Sequence, residues 1–387
     1  MKAVAVFPEA KEFKLVEHDE PDISSPNEVK LRVLEVGVCG TDKEICAFEY
    51  GTPPAGSPYL LLGHESLSEV VETGGAVSRV QRGDLVVTSV RRPCPHDTCV
   101  ACRLGRQDFC FTGDFTERGI KEQHGYMTGF VVDDEQYMNV VPAHLREVGV
   151  LVEPLTIAEK ALTQVWQVQQ RLPWECAPAT NAEATSAPAP AKAEGSQSGH
   201  AVSCHRALVL GAGPVGLLGA MALVVAGFET HVYSREAAGS EKAQLVEAFG
   251  AKYLSAETHA VEKLAEAVGG IDLVYEAVGA SSLAFEVMKY LDTNGVFVFT
   301  GVPGRKAPVA VDTDLLMRNL VLRNQVAFGT VNAGRDAFEA AIRDLDIFHT
   351  RWPQVVNSLI TSRVPIEEHR DLLLGKVGGI KNVIKLA

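Results

Sequence analysis

Three residues far apart in the chain are of the types that hold a metal ion open for chemistry: Cys39 in VGVCGTDKE, His64 in GHE at 63–65, and Glu153 in LVEPLT. A thiolate, an imidazole and a carboxylate make a mixed donor set that binds zinc and leaves a coordination position for water or substrate. Glu65 follows His64 after the apolar run Tyr59, Leu60, Leu61, Leu62, where a carboxylate is costly to bury unless a cation compensates it. A divalent ion beside Glu65 is the expected compensation.

A second set of donors is local. The stretch RRPCPHDTCVACRLGRQDFC carries Cys94, Cys99, Cys102 and Cys110, with four, two and seven residues between successive thiols. Four thiolates in one loop match a closed tetrahedral zinc site, which holds a lobe together and leaves no position for substrate. His96 and Asp97 stand in the first gap and could replace a ligand. Cys46, Cys176 and Cys204 fit neither set, and without a secretory signal the eight cysteines argue against a disulfide framework.

The third chemical signal is RALVLGAGPVG. Gly211, Gly213 and Gly216 stand in G-x-G-x-x-G order between a strand-like run and the apolar helix LLGAMALVVAG, an arrangement that seats a pyrophosphate on a helix N-terminus. About twenty positions on, Ser234 or Arg235 stands where an NAD-binding protein places an acid for the ribose hydroxyls. A guanidinium there suits a 2′-phosphate, so NADP is preferred, while Glu236 keeps NAD open.

The elements that must position these groups fall into two textures. Alternating segments such as VKLRVLEV (29–36), with frequent Gly and Pro, predict a mainly β region to about residue 150, and a helix is expected from Pro154 to Arg171. From Arg206 onward RALVL, ETHVY, IDLVYEAVG and GVFVFTGVP alternate with helical lengths, which argues a parallel sheet covered on both faces. A helix near 335–347 and the strand-like NVIKLA close the chain. The expected domains are 1–172, catalytic; 173–204, an insertion whose Ala-, Pro- and Ser-rich core 177–199 is expected to be flexible; 205–330, dinucleotide-binding; and 331–387, a return to the first domain.

The 387 residues are 46% hydrophobic, enough for two packed cores, and carry a net charge of −13 spread along the chain, which makes nucleic acid an unexpected partner. No run is long enough to span a membrane and MKAVAVFPEAKEF has no signal-peptide succession, so a cytoplasmic protein is expected.

Together CGTD at 39–42, GHE at 63–65 with Gly74 and Val77 beyond it, the four-cysteine lobe and GAGPVG resemble the zinc-containing medium-chain alcohol dehydrogenases over essentially the whole chain. Within them CGTDKEI, the RR before the lobe, GRQDFC-x-TG-D-F, EP at 153–154 and GTVNAG at 329–334 are most similar to the archaeal-type glucose (aldose) 1-dehydrogenases. The resemblance implies an α/β protein, with a GroES-like mainly β catalytic domain and a Rossmann doubly wound parallel sheet. It implies zinc-dependent oxidation of an aldose (glucose, galactose or a pentose) at C1 to the lactone, with hydride transfer to NADP or NAD. Polyol, threonine or simple alcohol oxidation is the sister alternative, and a non-catalytic NADP-binding redox sensor the alternative of another class.

Residue roles follow from the same resemblance. Cys39, His64 and Glu153 would hold the catalytic zinc, with Glu65 as a second or alternating carboxylate and Thr41 as the hydroxyl that relays the substrate proton. Cys94, Cys99, Cys102 and Cys110 would hold a structural zinc. Thr41, Asp114, Glu153 and Asn332 would meet the sugar. The cofactor would meet Gly211, Gly213, Pro214, Val215, Gly216, Ser234, Arg235, Gly279, Thr300, Val302 and Asn332. A homo-oligomer, tetramer or dimer, is implied. The chain departs from the pattern at Ser68, where the signature has glycine, at Asp114, where glutamate is expected, in the long Cys94–Cys99 gap and in the 177–199 insertion.

Overall fold

A computed structural model describes residues 1–174, 205–304 and 308–386. The 177–199 stretch, Cys176 and Cys204 lie outside the described residues. The chain divides into two compact units, one of Met1–Lys160, Gly213–Val215 and Val331–Ala387, the other of Ala161–Ala212 and Gly216–Thr330.

The first unit is built on a seven-stranded sheet. Its path runs Met138–Val141, Leu85–Thr88, Glu65–Thr73, Glu28–Gly37, Lys381–Lys385 and Ile360–Pro365, and Phe130–Asp134 also pairs with Glu28–Gly37. Strand Glu28–Gly37 is buried well beyond simple alternation because neighbours cover both its faces. Its core gathers Val33, Val36, Val38, Leu60, Leu62, Tyr126, Met127 and Ile384, the immediate chain neighbours of several candidate site residues. Burying each of these side chains contributes about 1.5–3 kcal/mol, which holds the strand ends in register. The chain's last strand, Lys381–Lys385, enters this sheet antiparallel to Glu28–Gly37, with Val383 opposite Gly37.

The second unit contains a six-stranded, all-parallel sheet in the order Lys252–Ser255, Glu229–Ser234, Arg206–Leu210, Leu273–Glu276, Val296–Phe299, Val326–Gly329. The inner strands are continuous apolar runs because helices cover both faces of such a sheet. Order reverses between Arg206–Leu210 and Leu273–Glu276, the switch point where doubly wound sheets bind ligands beyond the carboxyl ends of their strands. Among the described residues, no helix is long and apolar enough to cross a membrane.

Candidate functional site

Strand Glu28–Gly37 leads through Val38 to Cys39, which caps helix Gly40–Cys46. The Asp42 carboxylate accepts the Cys39 backbone N–H at 2.9 Å, which fixes the direction in which the thiol leaves the chain. The other Asp42 oxygen, Oδ1, lies 3.6 Å from His64 Nδ1, and neither of these buried atoms has a hydrogen-bond partner among the described residues. Glu65 opens strand Glu65–Thr73 directly opposite Gly37. A Cβ at residue 37 would run into the Glu65 carboxylate, so glycine is what lets that carboxylate fold toward Cys39.

One ligand atom each from Cys39, His64 and Glu65 lies within 4.8 Å of the others. Burial opposes a charged His64, yet the Asp42 carboxylate and Cys39 beside it raise its pKa well above the ordinary value. Sulfur, nitrogen and oxygen donors converge there beside orphaned polar atoms, a donor set that suits zinc.

Glu65 also has a partner that the sequence reading omits. Lys381 Nζ stands 2.5 Å from Glu65 Oε2 and 3.4 Å from the Val38 carbonyl, with Lys381 and Glu65 both almost fully buried. Lys381 reaches this place because it precedes Val383 by two residues on the strand laid against Gly37. Burial would lower its pKa, but Glu65 and Cys39 raise it above the usual lysine value. A divalent ion is the expected compensation for Glu65; the structure adds a buried ammonium that already faces it.

Glu153 lies near the start of helix Val152–Gln169, close enough to feel His64, Glu65, Lys381 and Asp42. Its carboxylate is not part of the 4.8 Å cluster. Burial pushes its pKa up to about 7; Glu65 and Asp42 add to the rise, and His64 and Lys381 oppose it. Thr41 sits half-buried in the first turn of helix Gly40–Cys46, two residues after Cys39.

Asp114 does not join Asn332. Its exposed carboxylate pairs with the His96 ring, which also accounts for His96 outside the thiol cluster. The acid that meets Asn332 is Glu117: its Oε1 accepts the Asn332 amide at 2.9 Å and Arg91 Nε at 3.0 Å. Glu117 is buried in strand Thr116–Arg118, which pairs with Arg91–Arg92, and the Arg91 guanidinium lies 3.6 Å above the Phe115 ring. Asn332 holds a left-handed conformation (φ 58°) that turns its amide to this acid.

The lobe thiols of Cys94, Cys99, Cys102 and Cys110 all lie within 4.8 Å of one another, and Cys99 Sγ is 3.9 Å from Cys110 Sγ. Zinc–sulfur bonds of about 2.3 Å place tetrahedral thiolates about 3.8 Å apart, close to the Cys99–Cys110 separation, so the four-thiol set suits zinc. Against the effect of burial, hydrogen bonds from the Thr112 hydroxyl and neighbouring backbone groups lower the Cys110 thiol to about 6.

In the second unit Gly211, with φ 104°, makes the turn between strand Arg206–Leu210 and helix Pro214–Val225, and a Cβ at Gly216 would strike its carbonyl. Gly213, Pro214 and Val215 complete the turn and the first helical residues. Beyond strand Glu229–Ser234, the Ser234 hydroxyl donates to Glu236, which also receives Lys242 Nζ at 2.6 Å. Arg235 is exposed, with no ion-pair partner among the described residues. The Glu276 carboxylate, at the end of Leu273–Glu276, accepts the backbone N–H groups of Val278, Gly279 and Gly301, and its carbonyl accepts the Thr300 hydroxyl. Glu276 thereby fixes the loops carrying Gly279, Thr300 and the exposed Val302.

Glu117, Glu276 and Lys381 are functional candidates absent from the sequence-based expectations, and Asp42 is expected there only as a turn or helix-cap residue. Asp42 had a readable signal, an acid three residues after a helix cap. Glu117 and Lys381 had none, because each acquires its partner through strand pairing or a distant loop, whereas Glu276 accepts from Val278 and Gly279, two and three residues on, as well as from the distant Gly301.

The residues 25–144 match the family model described as alcohol dehydrogenase GroES-like domain, and 182–386 that described as glucose dehydrogenase C-terminus. The chain is 36% identical over 387 residues to a glucose 1-dehydrogenase of Methanocella arvoryzae, covering 100% of this chain and 99% of that protein. It is 37% identical over 388 residues to a glucose 1-dehydrogenase of Thermoproteus tenax, with coverage of 100% and 99%. Among solved structures it is similar to Haloferax mediterranei glucose dehydrogenase in complex with NADP, Zn and gluconolactone, at TM-score 0.83, 30% identity, and coverage of 100% of this chain and 99% of that one.

Proposed function

This chain belongs to the glucose dehydrogenase family of GroES-like, zinc-dependent alcohol dehydrogenases, and from that premise we propose how its residues carry out the reaction. It is an NAD(P)-dependent oxidoreductase that uses zinc to oxidise glucose at C1 to the lactone, with NADP as hydride acceptor.

Cys39, His64 and Glu65 would hold the catalytic zinc, and Glu153, at the helix start beside them, would join or alternate with Glu65. When bound, the metal supplies a Lewis acid that favours ionisation of the sugar's C1 hydroxyl and stabilises the developing negative charge. Asp42, 3.6 Å from His64 Nδ1, would orient the ring once the metal is bound, as outer carboxylates do for metal-bound imidazoles. Thr41, two residues after Cys39, would take the C1 hydroxyl proton and pass it outward, and a bound nicotinamide would supply the hydride acceptor that lets the C1 hydroxyl become the lactone carbonyl. Glu117 and Asn332, held by Arg91, bind the sugar's other hydroxyls in the role first expected of Asp114. The observation that carries the reading is the convergence of Cys39, His64 and Glu65 within 4.8 Å in a chain of this family.

The turn Gly211 to Gly216 would hold the dinucleotide, and Gly279, Thr300 and Val302, on the loops that Glu276 fixes, would add contacts to it. Preference for NADP is supported by the exposed Arg235, which has no ion-pair partner among the described residues, and by Glu236 being occupied with Lys242 and Ser234. An Arg235→Ala variant should raise the KM for NADP by about tenfold and leave the NAD rate nearly unchanged, as loss of one charge-assisted phosphate contact predicts. A homo-oligomer is supported by the open edge of strand Val326–Gly329 and by exposed Met317, Val321 and Leu322 on helix Thr313–Leu322. A reducing, cytoplasmic location is supported by clustered thiols that an oxidising compartment would cross-link.

Metal content measured beside initial rates of NADP and NAD reduction on glucose, galactose and xylose tests the reading. Turnover of polyols or simple alcohols but of no aldose would move the enzyme to the sister reaction. Tight NADP binding with no turnover on any hydroxyl substrate would make it a sensor.

A further inference from the structure

Asp108 occupies the short helical turn Gln107–Phe109, two residues before Cys110, and its side chain is completely buried. Its carboxylate receives Lys160 Nζ at 2.9 Å and Arg106 Nε and Nη2 at 3.1 and 3.0 Å. Its backbone carbonyl accepts Lys160 Nζ and Arg91 Nη1, each at 3.4 Å. Lys160, also buried, gives a further hydrogen bond to the Val331 carbonyl at 3.0 Å and stands 4.1 Å from the Phe109 ring centroid. All three ammonium donors therefore have acceptors, two on the lobe residue Asp108 and one on the residue preceding Asn332.

From Val331 the contacts close into a circuit. Asn332 donates to Glu117, Glu117 receives Arg91, and Arg91 donates back to the Asp108 carbonyl. A largely buried network of charged and amide groups restricts the geometries open to it, and losing one member leaves its partners short of a hydrogen bond. The left-handed turn at Asn332 is thus held from one side by Glu117 and from the other by Lys160.

We propose that Asp108 and Lys160 are positioning residues that tie the four-cysteine lobe to the Asn332 turn, so that metal in the lobe sets sugar recognition by Asn332 and Glu117. This rests on the reading that these two residues bind the sugar. The lobe would then do more than stiffen its own loop: a loosened Cys102 to Cys110 segment releases Asp108, Lys160 loses two of its acceptors, and the Asn332 amide leaves its place.

The test compares the wild type with Lys160→Met, with the Asp108→Asn/Lys160→Met double variant, in which the buried ammonium and its carboxylate are removed together, and with Lys160→Arg. Lys160→Met should raise the glucose KM by about tenfold while the NADP KM stays within about twofold, because only sugar orientation is lost. Zinc content should stay at the wild-type level, and hydrogen exchange in residues 331–334 should quicken about tenfold. Cys99→Ser, which unloads the lobe, should quicken exchange in the same segment, and Lys160→Arg should restore most of the glucose KM. An unchanged glucose KM with unchanged exchange overturns the proposal, as does an equal rise in both KM values. If Lys160→Met does not fold, the double variant is judged by the same criteria. A wild type without aldose turnover would defeat the functional reading, and the exchange measurement would still decide whether the lobe holds the turn.

Discussion

The four-cysteine lobe and the Cys39 centre each gather potential ligands within 4.8 Å, but they are assembled in opposite ways. The lobe takes all four thiols from residues 94–110, beside exposed Val100, Leu104 and Phe111. The Cys39 centre takes one ligand from the end of a strand, two from the start of its neighbour, and a countercharge from the last strand of the chain. A local, all-thiolate site can close around its metal with little else folded. A mixed, buried site exists only when the whole sheet does, and there a coordination position can be kept for substrate while Lys381 and Asp42 tune the charges. Proximity of ligands alone does not separate a structural metal from a chemical one; how they are assembled does.

The sharpest way to break this contrast is Cys39→Ser. It should lower kcat/KM for glucose by about a thousandfold or more and reduce bound zinc from about two to about one per chain, by elemental analysis. Retained turnover with both metals present would erase the distinction. Cys99→Ser should do the reverse, lowering Tm by about 5–10 °C in calorimetry while kcat of the folded fraction changes less than about threefold.

Lys381→Met sharpens the comparison from the charge side. It strands Glu65 in the interior and should destabilise the metal-free protein by about 3 kcal/mol in urea unfolding. Added zinc should recover more than about half of that loss, because a bound cation replaces the missing ammonium. No difference between metal-free and zinc-loaded protein would show that Glu65 does not face the ion.

Glu159 offers a control, a buried carboxyl group outside both clusters. Burial and the Asp344 carboxylate push its pKa up to about 9. The folded protein keeps this proton between about pH 4.5 and 9 while the unfolded chain releases it, so the contribution to stability falls as pH rises through that window. Glu159→Gln should therefore raise stability by about 1 kcal/mol at pH 8 and change it little near pH 5, with zinc content unaltered. A gain at both pH values would mean that burial of charge is not the cause.

Much of the architecture was legible in the chain because its signals are short-range. Continuous apolar runs such as VFVF and RALVL announce a parallel sheet, Gly211 to Gly216 lie in one turn, and the four thiols span one loop. The helix expected at 154–171 is observed at Val152–Gln169, and that expected at 335–347 extends to Arg351. The site was less legible. Asp114 stands where the resemblance expects a glutamate, whereas Glu117, three residues further on, lies on the strand paired with Arg91–Arg92, and that pairing puts Glu117 and not Asp114 against Asn332. Lys381 carried no local sign of its role.

The order of residues thus determined by itself which donors exist, how the lobe closes and where the dinucleotide turn lies, since each depends on neighbours within one loop or one strand–turn–helix. Only the tertiary structure decided that Lys381 compensates Glu65, that Glu117 meets Asn332, and that Lys160 joins the lobe to that turn. Those contacts span from 52 to 316 residues of chain and are set by strand register and burial, under which a charged side chain must take whatever partner the packed interior brings within reach.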